Sequence, residues 1–327
     1  MNVLLSSCGA KVALTRAWRA AVAERGGQLL AVDAAADSPA LFEADLAVRV
    51  PPRDTPAWSA TLCDLCRRHR IALVVPTADR ELLALAALAP RLRAAGTMTL
   101  VAPPAALHTC LDKQAFALFC ARHAFPLPRT YPRERQPEHF PVFARGGRSG
   151  QRVRLDTPAL LAAWRAAEPD ALIQEWLDEP EYSIDLLLDF AGQPLQAVAR
   201  RRLRVRGGEA CVSQVENNAT LTDLVMRLGH ALGLIGHNVV QAFWSETAGA
   251  RLIEVNPRFG GASSLSLAAG LDSPRRLLAL LAGDDRARAP RPIRAELMLL
   301  RYGADRFVTA ADLNWPCAPG YESAAGP

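Results

Sequence analysis

Near its C-terminal third the chain carries NVVQAFWSETAGARLIEVNPRFGGA, residues 238–262. The spacing predicts two short strands, 239–245 and 251–255, joined by a turn at Gly249. Alternate side chains of a strand share a face, so Glu254 and Asn256 point the same way, and Gln241 on the neighbouring strand can join them. One carboxylate and two amide oxygens in that grouping suit Mg2+, which accepts few protein ligands when nucleotide phosphates supply the rest. Arg258, just past Pro257, offers a fork of donors for a phosphate. The alternative is a buried polar strand end closed by an Asn-Pro turn.

Two further groupings could handle anions. The run AVARRRLRVRGGEA, read as a strand, puts Arg200, Arg202, Arg204 and Arg206 on one face as an anion-binding rail. A solvated edge strand protected by its charge is the alternative. Upstream, PVFARGGRSG ends a short strand with Arg145 and turns through Gly146, Gly147, Ser149 and Gly150, whose backbone amides could close over phosphates. Lys113 opens the helix DKQAF, where its charge opposes the helix dipole and invites a functional reason.

The elements that must position these groups begin with a strand at residues 1–6, a glycine-containing loop, a helix at about 11–25 and a strand at 28–32. Helices at 57–70 and 79–95 then alternate with strands at 71–75 and 97–101, which predicts an open parallel α/β domain. Its first loop, SSCGAK, has one glycine where a dinucleotide fingerprint needs three, which disfavours nicotinamide binding. Asp79 and Glu81 stand at a helix start, as caps or as lining of a cleft. Later segments read as a helix from Thr157, a strand LIQEWL, a strand EYSIDLLLDF, a helix at 221–234 and a helix at 274–281.

The 327 residues allow two or three domains, and half of them are hydrophobic. No apolar run approaches the roughly 18 residues of a membrane span, and no basic stretch precedes an apolar one, so a cytoplasmic protein with no membrane partner is expected. The seven cysteines form no even framework, which fits reduced thiols. The C-x-x-C at Cys63 and Cys66 lies within a helical pattern without a second pair, which argues against a zinc or redox centre. A net charge of +5 permits anionic ligands without requiring nucleic acid. Aromatics at 6% offer no stacking platforms beside the arginines, so nucleic acid is not an expected partner. Only Lys11 and Lys113 are lysine; the other basic positions are arginine.

Taken in order, the opening strand and loop, DKQAF, PVFARGGRSG, QEWLDEPEYSIDLLL and LIEVNPRFGGASS resemble the ATP-grasp superfamily, in particular a stand-alone protein similar to one synthetase unit of the carbamoyl-phosphate synthase large subunit. The resemblance implies an N-terminal open parallel α/β domain over 1–105, an ATP-grasp lid with connecting helices over 106–177, and an α+β C-terminal subdomain with a tail over 178–327. It implies that Lys113 and Arg145 contact ATP phosphates and that the loop of Gly147, Ser149 and Gly150 closes over them. Glu175, Trp176 and Leu177 would meet adenine, and Glu181 the ribose. Gln241, Glu254 and Asn256 would hold Mg2+, as one or two ions with Mn2+ able to substitute, and Arg258 the transferred phosphate. Many members carry lysine at the position of Arg145 and a carboxylate at that of Gln241; both departures occur in the carbamoyl-phosphate synthase type. Arg202 is expected to hold the acceptor carboxylate or its acylphosphate.

The implied activity is an ADP-forming carboxylate-amine ligase acting on a small-molecule carboxylate and amine through an acylphosphate, with a second copy of the chain as a possible partner. A carbamate- or bicarbonate-phosphorylating enzyme and a non-catalytic nucleotide-binding protein are the alternatives.

Overall fold

The structure is a computed structural model and describes residues 1–53, 55–147 and 149–317. Strands β1 (Asn2–Ser6), β2 (Leu29–Asp33), β3 (Leu46–Arg49), β4 (Ile71–Pro76) and β5 (Met98–Thr99) form a parallel sheet of order β3-β2-β1-β4-β5. The central strands are apolar between their ends, as a sheet covered on both faces requires, with Asn2, Ser6 and Asp33 only at strand ends. Helices α1 (Val12–Ala23), α2 (Pro56–Arg68) and α3 (Leu82–Ala94) connect its strands. The short strand β3, preceded by a 3-10 turn at Pro39–Glu43, was not foreseen, because its four residues are too few to display a period. Asp33 caps the first loop from below: its carboxylate accepts from Gly9 N and Ala35 N.

Helices α4 (Pro104–Leu111) and α5 (Lys113–Arg122) lead out of this unit. Asp112 caps α5 by accepting from Gln114 N and Ala115 N, which places Lys113 at the first helical position. A small antiparallel sheet of order β7-β6-β8 follows, built from β6 (Val142–Arg145), β7 (Arg152–Leu155) and β8 (Leu172–Glu175), with α6 (Pro158–Ala167) packed against it. Its own small core contains Tyr131, Val142, Ala144, Leu155, Leu161 and Ile173.

The third sheet is six-stranded and antiparallel, of order β13-β12-β9-β10-β11-β14. Its members are β9 (Glu181–Leu188), β10 (Pro194–Arg206), β11 (Glu209–Glu216), β12 (His237–Ser245), β13 (Gly249–Asn256) and β14 (Met298–Leu300). Helix α7 (Ala219–Leu232) covers one face, and Gly229 allows its close approach, since a Cβ there would lie 2.3 Å from a Leu186 methyl. A four-residue helix α8 (Ser263–Ser266) and α9 (Ser273–Leu281) complete the unit. A single apolar cluster runs from Leu4 and Leu62 through Leu107 and Phe116 to Ile184, Leu228 and Val240, so the first and third sheets share a core.

The arginine-rich strand departs from expectation. β10 lies in the sheet interior between β9 and β11, so it is not an edge strand. The pairing with β11 slips between Arg202 and Val205, and the alternation of faces breaks there. Arg200 is 1% exposed while Arg204 and Arg206 are exposed, so no continuous rail forms.

Candidate active site

Cross-strand pairing explains how distant residues converge. Opposite residues in a ladder share a face. Arg200 pairs with Ser183, Ser183 with Gln241, and Gln241 with Glu254, so these four form one transverse row. Asn256 and Val239 stand opposite each other, with Asp185 beside Val239, in the adjacent row on the same face. Two residues along β9 in the other direction, Glu181 faces Arg202, whose Nη1 donates to Glu181 Oε1 at 2.7 Å.

Glu254 is the hub. Lys113 Nζ lies 2.8 Å from its Oε2, Arg145 Nη1 3.6 Å and Arg152 Nη2 4.0 Å away, and Asn256 Nδ2 donates to Oε1 at 3.2 Å. Burial alone would raise this carboxyl; Lys113, foremost among the neighbours, overrides it and holds the group at about 2. Three cations from α5, β6 and β7 therefore aim at one carboxylate oxygen. That leaves positive charge in excess where the small sheet faces the large one.

Arg258 reaches the other way: its Nη2 donates to Asp79 Oδ2 at 2.5 Å, its Nη1 to Phe259 O at 3.0 Å, and its Nε is buried without a partner among the described residues. This bond links the loop after β13 to the start of the 3-10 turn Asp79–Glu81, so Asp79 lines the cleft instead of capping its turn. Glu81 is fully buried and accepts from Ser6 Oγ, Ser7 Oγ, Thr77 N and Ala78 N, which ties the loops after β1 and β4 together. Lys11 and Arg80 line a cavity of about 360 Å3 with Thr77, Asp79, Glu209 and Arg258. Both lysines of the chain thus face the cleft.

Beneath the floor lies a buried network. Asp185 accepts from Arg200 Nε, Ser263 Oγ and Ser266 Oγ, and His237 Nε2 lies 2.9 Å from it. Burial opposes its ionisation, yet Arg200 first and then His237 hold its carboxyl well below the usual range.

The remaining expected residues are placed as follows. Gly147, Ser149 and Gly150 lie in the β6–β7 loop, which packs on residues 168–170: a Cβ on Gly147 would fall 2.6 Å from Asp170 O. Glu175 N donates to Arg129 O and the Glu175 carboxylate accepts from Arg129 N, so its polar groups are already engaged. Trp176 and Leu177 line a recess of about 480 Å3 with Asp178, Glu179, Ser245 and Thr247. Glu181 and Arg202 are bonded to each other, so neither stands alone in the cleft, and Arg202 also donates to Gly208 O.

Arg152 and Ser183 escaped the sequence reading as members of this site, and Arg200 entered it only as part of the arginine rail. Arg152 was legible as the residue opposite Arg145 across the glycine turn; Ser183 was legible as the position two after Glu181 in a strand.

The donor set fits a magnesium-nucleotide. Among the described residues no three carboxylate, imidazole or thiol groups cluster, so an ion here would have Glu254 and amide oxygens from this chain and needs phosphate oxygens for the rest.

Comparison with known proteins finds family matches over two parts of the chain. Residues 167–300 match the family model described as ATP-grasp in the biosynthetic pathway with Ter operon, and residues 3–100 match the PylC-like, N-terminal domain. The C-terminal part of the chain is thus matched by an ATP-grasp family model and the N-terminal part by a PylC-like one.

No curated protein matches the chain by sequence. Among solved structures it is similar to pyruvate carboxylase of Rhizobium etli, with a TM-score of 0.69 and 17% identity over 90% of this chain and 30% of that one. It is also similar to L-amino acid ligase from Bacillus licheniformis, with a TM-score of 0.65 and 15% identity over 89% of this chain and 77% of that one. N5-carboxyaminoimidazole ribonucleotide synthetase, in its ADP complex, gives a TM-score of 0.67 and 14% identity over 91% of this chain and 79% of that one. At these identities the likeness carries the fold.

Proposed function

We propose that the chain is an ATP-dependent, ADP-forming carboxylate-amine ligase. The observation that carries this reading is the convergence of Lys113, Arg145 and Arg152 on Glu254, a surplus of cations suited to a magnesium-bound triphosphate. Phosphoryl transfer requires positioning and charge neutralisation more than a covalent protein group.

In this reading MgATP supplies the phosphoryl group. Gln241, Glu254 and Asn256 hold Mg2+, and Lys113, Arg145 and Arg152 move from Glu254 onto phosphate oxygens. The loop through Gly147, Ser149 and Gly150 closes over the phosphates. Adenine meets Trp176 and Leu177, because Glu175 is already bonded to Arg129. Glu181 has Arg202 to hold it in place for a ribose hydroxyl. The acceptor carboxylate oxygen attacks the γ-phosphorus and ADP leaves. Arg258 steadies the resulting acylphosphate. An amine then attacks the carbonyl carbon, loses its proton and expels phosphate. The three units over 1–105, 106–177 and 178–327 act as base, lid and metal-bearing floor. The ATP-grasp match over 167–300 and the PylC-like match over 3–100 support this reading over a nucleotide sensor.

The test is an ADP-release screen of carboxylates with amines in pairs, with Glu254→Ala as the blank. MgATP-dependent ADP release that requires both substrates and vanishes in the variant supports the ligase. MgATP binding without ADP release for any pair rejects it.

A further inference from the structure

Arg200 is the largest charged side chain almost wholly withdrawn from solvent that also borders the cleft. Its Nε is fixed on Asp185, and Asp185 is itself held by Ser263, Ser266 and His237. Its Nη1 has no hydrogen-bond partner among the described residues. A buried guanidinium nitrogen without an acceptor is costly, so a group held this rigidly and left unpaired beside a cavity calls for an external partner. The cavity it borders is also lined by Ser183, Arg202, Gln241, Arg258 and the Gly260–Gly261 backbone. Arg202 Nε and Arg258 Nε are likewise buried and unpartnered.

The position has a geometric consequence. Arg200 and Gln241 are separated by β9, so their Cα atoms stand two strand spacings apart, about 10 Å. Arg200 Nε is turned onto Asp185 of β9, the strand that separates Arg200 from Gln241, Glu254 and Asn256, which favours an anion other than the one activated at the metal row. The adjoining cavity adds Lys11 and Arg80, neither of which has an ion-pair partner among the described residues. Among the described residues Val239 is the only large aliphatic side chain lining either cavity, which leaves little there to reward an apolar substituent.

We infer that the acceptor is a small polar acid carrying a second anionic group, and that Arg200 is the residue that binds this second group, with Asp185 as its positioning residue. The inference rests on the ligase reading for the existence of an acceptor, but binding can be read without turnover. Arg202 does not fill this role, because its Nη1 and Nη2 are engaged by Glu181 and Gly208 O.

The experiment compares succinate, glutarate, L-aspartate and L-glutamate with their monoamides succinamate, glutaramate, L-asparagine and L-glutamine. The full chain is used with MgATP and the same panel of amines, reading both ADP release and melting temperature. At least one diacid is expected to act with an apparent affinity about tenfold or more above that of its monoamide, the worth of one charge-assisted hydrogen bond. Arg200→Gln is expected to bring that ratio near one while the stabilisation by MgATP alone is retained. Equal response to acid and amide, no response to any of these probes, or a preference that survives in Arg200→Gln overturns the inference. If Arg200→Gln does not fold, Arg200→Lys, which keeps a cation beside Asp185 but lacks the second nitrogen, takes its place with the same expected loss. Equal response to acid and amide on the unaltered chain overturns the inference whatever either variant does. MgATP binding with a diacid-specific melting shift but no ADP release would reject the ligase reading and leave this assignment standing.

Discussion

Lys113 occupies the first position of α5, where its charge works against the helix dipole, a local cost of a few tenths of a kcal/mol up to about 1. The contact between its Nζ and Glu254 supplies the compensating reason. In Lys113→Met the carboxylate loses its main partner, and stability without Mg2+ should fall by roughly 1–3 kcal/mol in denaturant unfolding. The pH dependence follows from the same pair. Glu254 is held at about 2 in the folded chain, against an ordinary 4.5. Its depressed value makes the stabilisation fully present above pH 4.5 and lost as the pH falls toward 2, on the order of 3 kcal/mol. Comparing acid unfolding of the native chain with Glu254→Gln isolates this contribution: the variant should show a shallower loss across that window, and identical slopes would refute it.

At the scale of elements, β9 and β10 carry the site because their register stacks polar rows on one face of an otherwise apolar sheet. Asp185 anchors Arg200 within these rows. Asp185→Ala leaves a buried guanidinium without its counter-ion and three neighbouring donors without an acceptor, and should destabilise the chain by roughly 3–5 kcal/mol. A melting temperature near that of the native chain would show the network to be dispensable. The glycine turn between β6 and β7 makes a different demand. Gly147 lies so close to Asp170 that a methyl group must displace backbone. Gly147→Ala should therefore shift the loop, raise KM for ATP and change kcat less; an unchanged KM would place the loop outside nucleotide binding.

Across the whole molecule, the C-terminal segment joins the third sheet to the first. β14 pairs with β11, and the chain then crosses to the N-terminal sheet, where Arg49 N donates to Pro316 O. There Trp315 Nε1 donates to Ala36 O at 2.8 Å, its ring meets Phe42 edge-on at 4.7 Å, and Arg306 pairs with Glu43. Trp315→Ala should lower the unfolding free energy by about 1–3 kcal/mol through the lost hydrogen bond and ring contact, measured by chemical denaturation. Ligand binding acts on the same scale. MgATP at 100 times its Kd should add about 2.7 kcal/mol to the unfolding free energy, and Glu254→Ala should remove most of that gain. No helix among the described residues is long and apolar enough to cross a membrane.

The sequence by itself determined the parallel N-terminal domain, because strands covered on both faces must be continuously apolar and their helices must alternate with them. It also placed Gln241, Glu254 and Asn256 together, since a hairpin with a period of two leaves little freedom. It could not place β3, whose four residues show no period, nor follow the face of β10 past the slip beyond Arg202. Pairing between strands far apart in the chain decided the rest. Which arginine is buried, which meets Glu181 and which stays open to the cleft depends on β9 lying between β10 and β12, and side-chain alternation within one strand carries no information about its neighbours. The contact of Arg258 with Asp79, 179 residues away, likewise arises only when two independently patterned units share one core.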